Sequence, residues 1–145
     1  MSERILALDY GEKTVGVAVS DELRLCAFGV EIIRRDNEVS LKKTIARLKE
    51  LIQEYSAATL VLGYPKKQDN TISLRCEKTL EFKERLHRNF KTPDIILWDE
   101  RYSTIGAART LTEAGLSNRK KESVIDEMAA VFILQGYLEY LKISN

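Results

Sequence analysis

With 145 residues, the chain is long enough to bury a hydrophobic core without disulfide or metal cross-links, and we expect one domain over residues 1–145. The net charge of +1 excludes any inference of a nucleic-acid partner from overall charge, so such an inference must rest on local basic patches. We find no apolar run of membrane-spanning length, no signal peptide and no Arg- and Ser-rich presequence, and therefore expect no membrane association.

The first part of the chain predicts four strands and one helix. The short apolar run Ile5–Leu8, followed by a Gly-containing break, is typical of a buried strand, and Val15–Val19 resumes the pattern as its hairpin partner. Ala27–Ile33 predicts a third strand. Within Asn37–Tyr55, five apolar residues follow the spacing of one helical face, and Ala58–Leu62 predicts a compact buried strand.

The second part predicts three helices and one strand. A helix is expected over Ile72–Phe90, a fifth strand over Pro93–Trp98 and a short helix over Thr104–Ala114. Ser117–Glu122 is polar and basic and suggests a loop before a last helix over Ser123–Leu141. A hairpin-connected start followed by crossover connections predicts an α/β fold, a five-stranded mixed sheet with helices on both faces.

Carboxylates follow two predicted strands and begin the last helix. Asp9 ends the first strand, Asp99 and Glu100 follow the fifth, and Asp126 lies near the start of the last helix. Because sites in open α/β sheets form at the carboxyl ends of parallel strands, we expect these acids to meet at one edge. Clustered carboxylates repel one another unless a cation is bound, and Mg²⁺ (or Mn²⁺) suits oxygen ligands. Two such ions about 4 Å apart would support hydrolysis of a phosphodiester, with Asp9 as bridging ligand.

Strand alternation leaves the choice between Asp99 and Glu100 open, since it places them on opposite faces without saying which face carries the site. The longer Glu side chain reaches further past a strand end, which favours Glu100. Both could instead form a solvated strand end, paired with Arg101.

Asp9 and Asp126 also have structural alternatives. Asp9 could accept hydrogen bonds in the turn Tyr10–Thr14, a common use of Asp beside Gly. Ser123–Asp126 fits a helix-start signature, in which an acid at the third helical position accepts a hydrogen bond from the backbone N–H of the capping serine. Taken singly, each alternative competes with a catalytic role, whereas three acids with matching topology favour a metal site.

Basic side chains fall on the same predicted edge as the acids. They are Lys66, Lys67, Arg75, Arg101, Arg119, Lys120 and Lys121. Such charge runs are usually only solvated surface. An acidic pocket with a basic rim nevertheless suits a polyanionic backbone, so we expect a nucleic-acid partner.

Four segments in order carry a resemblance to a known family. Leu8–Asp21, Gly63–Pro65, Asp99–Thr104 and Ile125–Leu138 together resemble the YqgF (RuvX) family of Holliday junction resolvases, also described as pre-16S ribosomal RNA nucleases. The resemblance runs almost from end to end. It implies a ribonuclease-H-like fold, which the order of elements also indicates, and a bacterial cytoplasmic protein similar to RuvC-type resolvases with a magnesium-dependent acidic site.

Carried over by motif, the family's acids correspond to Asp9, Glu100 (or Asp99) and Asp126. One position departs from the pattern, because the family usually has a glycine a few residues after the proline and this chain has Asn70. Asn tolerates a left-handed backbone better than most residues, so the turn is expected to survive.

Three functional interpretations follow. The first is a metal-dependent endonuclease, either processing the 5′ end of pre-16S rRNA or resolving Holliday junctions in DNA. The second is a non-catalytic nucleic-acid-binding maturation factor that uses the same basic rim. The third is a nucleotide-binding ATPase or kinase, disfavoured because those proteins duplicate the domain. The sequence fits a monomer or a homodimer.

Overall fold

A computed structural model describes residues 3–35, 41–64, 74–100 and 118–144, with the backbone alone over residues 118–127. The strands and helices are β1 (Arg4–Tyr10), β2 (Thr14–Ser20), β3 (Ala27–Arg34), α1 (Leu41–Tyr55), β4 (Ala57–Tyr64), α2 (Leu74–Asn89), β5 (Asp94–Asp99) and α3 (Asn118–Ser144). All five predicted strands are confirmed. The first four extend by one or more residues beyond the predicted bounds, and the fifth is shifted by one residue, from Pro93–Trp98 to Asp94–Asp99. The predicted short helix Thr104–Ala114 lies outside the described residues.

The strands form one mixed sheet in the order β3-β2-β1-β4-β5. The first three strands are antiparallel neighbours joined in sequence, while β1, β4 and β5 run parallel. Strand β1 therefore occupies the centre of the sheet, and its carboxyl end meets those of β4 and β5 at one edge. We call this the carboxyl edge.

Helices cover both faces of the sheet, as the order of elements predicted. On one face, α1 and α2 pack through Leu48, Leu51 and Phe82 against β1, β2 and β4. On the other face, α3 packs through residues that include Ala130 and Ile133. Strands β1, β2 and β4 are mostly buried, which explains why they read as near-continuous apolar runs rather than as alternating ones.

The buried face of α2 contains polar as well as apolar residues. Phe82 and Leu86 are buried, whereas Leu74 and Leu80 are 66% and 36% exposed. Cys76 and Thr79 are fully buried instead, and the Thr79 hydroxyl donates to the backbone carbonyl of Arg75, 2.8 Å away. Because this bond satisfies the hydroxyl within the helix, threonine can occupy a fully buried position.

The last helix begins earlier than predicted. Residues 118–122 belong to α3 and not to a loop, so the predicted loop Ser117–Glu122 is wrong over these five residues. Arg, Lys and Glu are good helix formers, and a run of charges does not by itself end a helix. Since α3 starts at Asn118, Asp126 is not at the third helical position, and the capping alternative for this residue is also wrong. Within the described ranges, no helix combines the length and apolar character needed to span a bilayer.

Candidate active site at the carboxyl edge

Asp9 occupies the carboxyl edge at the end of the central strand. On β2, the residue opposite Asp9 is Gly16. On β4, Leu62 is paired with Leu8, the residue before Asp9. Ile5 and Ala7 point toward α3, and strand alternation places Asp9 on that face as well. The residue is 8% exposed. A buried carboxylate at this edge is costly unless a cation or hydrogen-bond donors surround it.

Glu100 lies on the same face, above Gly63. Gly63 ends the buried part of β4 and is level with Trp98 of β5, which belongs to the α3-facing cluster. A Cβ added at Gly63 would lie only 2.8 Å from Glu100 Oε1 and 3.3 Å from Ile133 Cγ1. The absent side chain thus leaves room for the Glu100 carboxylate, which is 4% exposed, to lie over β4.

Because β4 lies between β1 and β5, these two strands are two strand spacings apart, about 9–10 Å, and Glu100 lies two residues further along the chain than Trp98, which is level with Gly63. Glu100 reaches back over Gly63 toward β1 and shortens that separation. The structure therefore brings two of the three predicted acids to one edge and one face.

Asp99 points to the other face. It is paired with Tyr64 of β4, and its strand neighbour Leu97 packs against the cluster beneath α1 and α2. Burial raises the pKa of Tyr64 above its usual value, and Cys76 and the Asp99 carboxylate add to this increase. Asp99 is thus close to Tyr64 beneath α2, and it is Glu100 that shares a face with Asp9.

Of the predicted basic site residues, Arg75 is the one whose side chain the structure describes, and it lies against Asp9. Its Nη2 lies 3.6 Å from Asp9 Oδ1, and the two side chains are 43% and 11% exposed, respectively. The guanidinium extends from the first turn of α2, so its outer part faces solvent while its inner part faces the buried carboxylate. Such a group can also receive a phosphate oxygen from outside.

Arg35 and Tyr10 also belong to this region, although the sequence pattern did not single them out. Tyr10 follows Asp9 directly and stacks on Phe82 of α2, with ring centroids 4.2 Å apart and an interplanar angle of 15°. Arg35 lies over the Tyr10 ring, its Cζ 4.5 Å from the centroid. No local sequence signal predicts these contacts, because Arg35 and Tyr10 are 25 residues apart.

The other predicted site residues lie beyond what the structure describes. Lys66, Lys67 and Arg101 fall outside the described residues, as does Asn70. The backbone at positions 119–121 and 126 is helical, within α3. Among the side chains that the structure describes, no group of three His, Cys, Asp or Glu residues could hold a metal ion.

The sheet order, with α1 and α2 on one face and α3 on the other, defines a ribonuclease-H-like protein. The chain belongs to the RuvX (YqgF) family, whose sequence profile, described as Holliday junction resolvase, matches residues 3–140. The resemblance carried by the four sequence motifs is therefore confirmed.

Relatives share most of the chain. A protein of Agathobacter rectalis named "Putative pre-16S rRNA nuclease" is 52% identical over 142 residues, which are 98% of this chain and 99% of the relative. A protein of Desulfitobacterium hafniense with the same name is 49% identical over 98% of this chain and 96% of the relative. Another, in Staphylococcus aureus, is 43% identical and covers 97% and 99%.

Two solved structures share the fold. Thermus thermophilus RuvC superposes with a TM-score of 0.58 at 12% identity, over 97% of this chain and 96% of RuvC. T. thermophilus RuvC in complex with a Holliday junction substrate superposes with a TM-score of 0.55 at 11% identity, over 96% of each chain. Identity this low supports the ribonuclease-H-like fold and nothing finer.

Proposed function

We propose that this protein is a metal-dependent endonuclease that hydrolyses phosphodiester bonds in structured nucleic acid. The observation that carries the proposal is the placement of Asp9 and Glu100 on one face of the carboxyl edge, with Gly63 making room between them. Buried carboxylates from two parallel strands are the ligand type that hard divalent cations require. Membership of the RuvX family points to the same chemistry.

The donor set fits magnesium or manganese. Mg²⁺ takes one or two protein carboxylates together with water and phosphate oxygens, and Asp9 and Glu100 supply the carboxylates. The ion, when bound, would lower the pKa of a water molecule and neutralise charge on the phosphate. Asp9 and Glu100 would hold it at the edge of the sheet, and no side-chain nucleophile is needed.

We assign Asp126 as the third acid from its place on α3. Ile133 packs beside Gly63, and Asp126 precedes Ile133 by seven residues, which is two helical turns or about 10.5 Å along the same helix face. Tyr137 contacts Trp98, which is level with Gly63, so Ile133 and Tyr137 both lie near the carboxyl ends of β4 and β5. This placement of α3 supports a position for residue 126 near the other acids.

The basic residues would hold the nucleic-acid backbone. Arg75 stands half-exposed beside Asp9, where it can bind a phosphate adjoining the scissile one. We assign the same role to the basic residues for which the structure describes no side chain. They are Lys66, Lys67, Arg101, Arg119, Lys120 and Lys121.

We propose that the substrate is pre-16S rRNA, because several relatives above 40% identity carry that name. The resemblance to the YqgF (RuvX) family extends this proposal to cleavage near the 5′ end, in the cytoplasm. A Holliday junction is the second candidate, favoured by the description of the family. The acids make the same demand on RNA and DNA backbones, so the choice between them depends on substrate shape.

Cleavage by an Asp9→Asn variant tests the proposal. The purified protein is incubated with a 5′-extended 16S precursor transcript and, separately, with a four-way DNA junction, in Mg²⁺ and in EDTA. Asn keeps the size of the side chain but removes its charge, so we expect cleavage to fall by at least about 10²-fold while nucleic-acid binding persists. The matched control is Asp21→Asn, because Asp21 follows β2 at the opposite edge of the sheet.

The outcome separates the candidate functions. Cleavage of the transcript alone supports rRNA processing, and cleavage of the junction alone supports a resolvase. If the parent protein binds either substrate but neither EDTA nor Asp9→Asn changes the amount of cleaved product, the nuclease assignment fails. The non-catalytic maturation factor is then the better interpretation.

A further inference from the structure

Arg35 is a buried cation that contacts the turn after Asp9. It follows β3 and is 7% exposed, although arginine is seldom buried so fully unless it is paired. Its Nη1 donates to the Tyr10 hydroxyl at 2.9 Å, and its Nη2 donates to the backbone carbonyls of Gly11 and of Glu12, the latter at 2.7 Å. The backbone N–H of Arg35 also donates to the Lys13 carbonyl at 2.7 Å.

These contacts hold four consecutive residues, 10–13, which form the end of β1 and the turn into β2. Among the described residues, no carboxylate pairs with Arg35, and its Nε has no hydrogen-bond partner. Every described hydrogen bond from the guanidinium is thus directed at the Tyr10–Glu12 segment. Arginine suits this task because its planar fork can serve two or three acceptors in a fixed geometry.

The same arginine connects the turn to α2. Arg35 lies over one face of the Tyr10 ring, and Tyr10 stacks on Phe82. Phe82 follows Arg75 by seven residues, two helical turns, so both occupy one face of α2. Two neighbouring residues of β1, Asp9 and Tyr10, therefore contact two residues on one stripe of the helix, and Arg35 holds Tyr10 in that arrangement.

We propose that Arg35 is a positioning residue for the acidic site. It fixes the end of β1 against α2, so that the Asp9 carboxylate and the Arg75 guanidinium keep their relative position when a cation and a phosphate bind. This inference rests on the proposed nuclease function. Misplacing a reacting group by about 1 Å can cost about 10²-fold in rate, which makes the rigidity of this turn consequential.

The test is an Arg35→Met variant, which keeps most of the side-chain volume but loses the hydrogen bonds and the charge over Tyr10. The matched control is Arg47→Met. Arg47 makes a bidentate ion pair with Glu31, at 2.6 and 3.1 Å, and so ties α1 to β3, which is separated from the strand of Asp9 by β2. Urea unfolding is measured first, so that the two variants are compared under conditions in which both are folded.

The deciding measurement is the dissociation constant of Mn²⁺, determined by electron paramagnetic resonance in the absence of nucleic acid. We expect Arg35→Met to raise the Mn²⁺ dissociation constant by about tenfold, as loss of an outer-shell contact does, and to raise the half-saturating Mg²⁺ concentration for cleavage in parallel. Arg47→Met should leave both within about twofold. Arg35→Lys should recover part of the loss, because it keeps the cation but not the planar fork.

Equal Mn²⁺ affinity in Arg35→Met and Arg47→Met would overturn the inference. If Arg35→Met does not fold, Arg35→Lys, which keeps the charge but loses the planar fork, is measured in the same way, and a Mn²⁺ affinity equal to that of the parent overturns the inference equally. The Asp9→Asn protein separates this failure from that of the proposed function. If Asp9→Asn abolishes cleavage while Arg35→Met binds Mn²⁺ normally, the nuclease assignment stands and the role of Arg35 does not.

Discussion

Replacing Gly63 by alanine should damage the fold and the site together. The new Cβ would lie 2.8 Å from Glu100 Oε1 and 3.3 Å from Ile133 Cγ1, with the Ile133 Cδ1 methyl closer still. A Cβ essentially never lies within 3.0 Å of another heavy atom, so the Glu100 carboxylate and the Ile133 side chain must both move. Overpacking of this kind costs about 1–3 kcal/mol. At about 2–4 °C for each kcal/mol, the melting temperature should fall by several degrees.

A second substitution separates the two effects. Ile133→Val removes the Cδ1 methyl that the new Cβ would meet, and alone it should cost about 0.5–1.5 kcal/mol. In the Gly63→Ala/Ile133→Val protein the added methyl takes up that space, so the stability loss should be smaller than the sum of the two single losses by at least about 0.5 kcal/mol. Glu100 remains displaced, so we expect cleavage and Mn²⁺ binding to stay impaired.

Thermal unfolding and a cleavage assay on the four proteins of this cycle are sufficient. If Gly63→Ala is as stable as the parent, the contact distances do not limit the site, and the reasoning from them is wrong. If the double variant regains full cleavage along with stability, the position of Glu100 over Gly63 is irrelevant to activity, and Glu100 loses its assignment as a ligand.

Two further predictions concern stability. The hydrogen bond from the Cys26 N–H, with another from Leu25, lowers the pKa of Asp21 below its ordinary 3.8, against an opposing effect of burial. Because the folded-state pKa is lowered, the ionised carboxylate stabilises the protein at pH values above the unfolded-state pKa. The difference in unfolding free energy between the parent and Asp21→Asn should therefore vanish as the pH falls from about 5 through the folded-state pKa. A difference in urea unfolding that does not change with pH would contradict this. Phe82→Ala should cost about 3–5 kcal/mol, because Phe82 is 2% exposed, whereas Leu80→Ala on the same helix should cost less than about 0.5 kcal/mol; similar urea midpoints would refute the packing assignment.

Local patterns predicted most of the fold. The strands were recognisable because burial from both sides demands short continuous apolar runs, as in Leu60–Leu62. Helix α1 was recognisable because Leu48 and Leu51 recur at helical spacing and are fully buried. The start of α3 was missed because Arg119–Lys121 resembles a solvated loop, although these residue types also favour helices.

The site was predictable only in part, because its geometry depends on register between strands. Nothing in the sequence says that Gly63 is level with Trp98, and that pairing is what places Glu100, rather than Asp99, on the face of Asp9. The function of Gly63 as the space beneath a carboxylate likewise requires Ile133 and Glu100 to be seen together. The role of Arg35 could not be predicted, because its contacts join segments that are more than 20 residues apart and no sequence spacing indicates such contacts.

The central place of β1 has a consequence for how activity is lost. This strand is hydrogen-bonded along both sides, to β2 and to β4, so its amides are expected to exchange with solvent only when the whole molecule opens. Asp9 is carried by the segment of the chain that is last to loosen, whereas many enzymes carry catalytic groups on loops that fray first. Heating should therefore displace Asp9 only in the transition that unfolds the whole molecule.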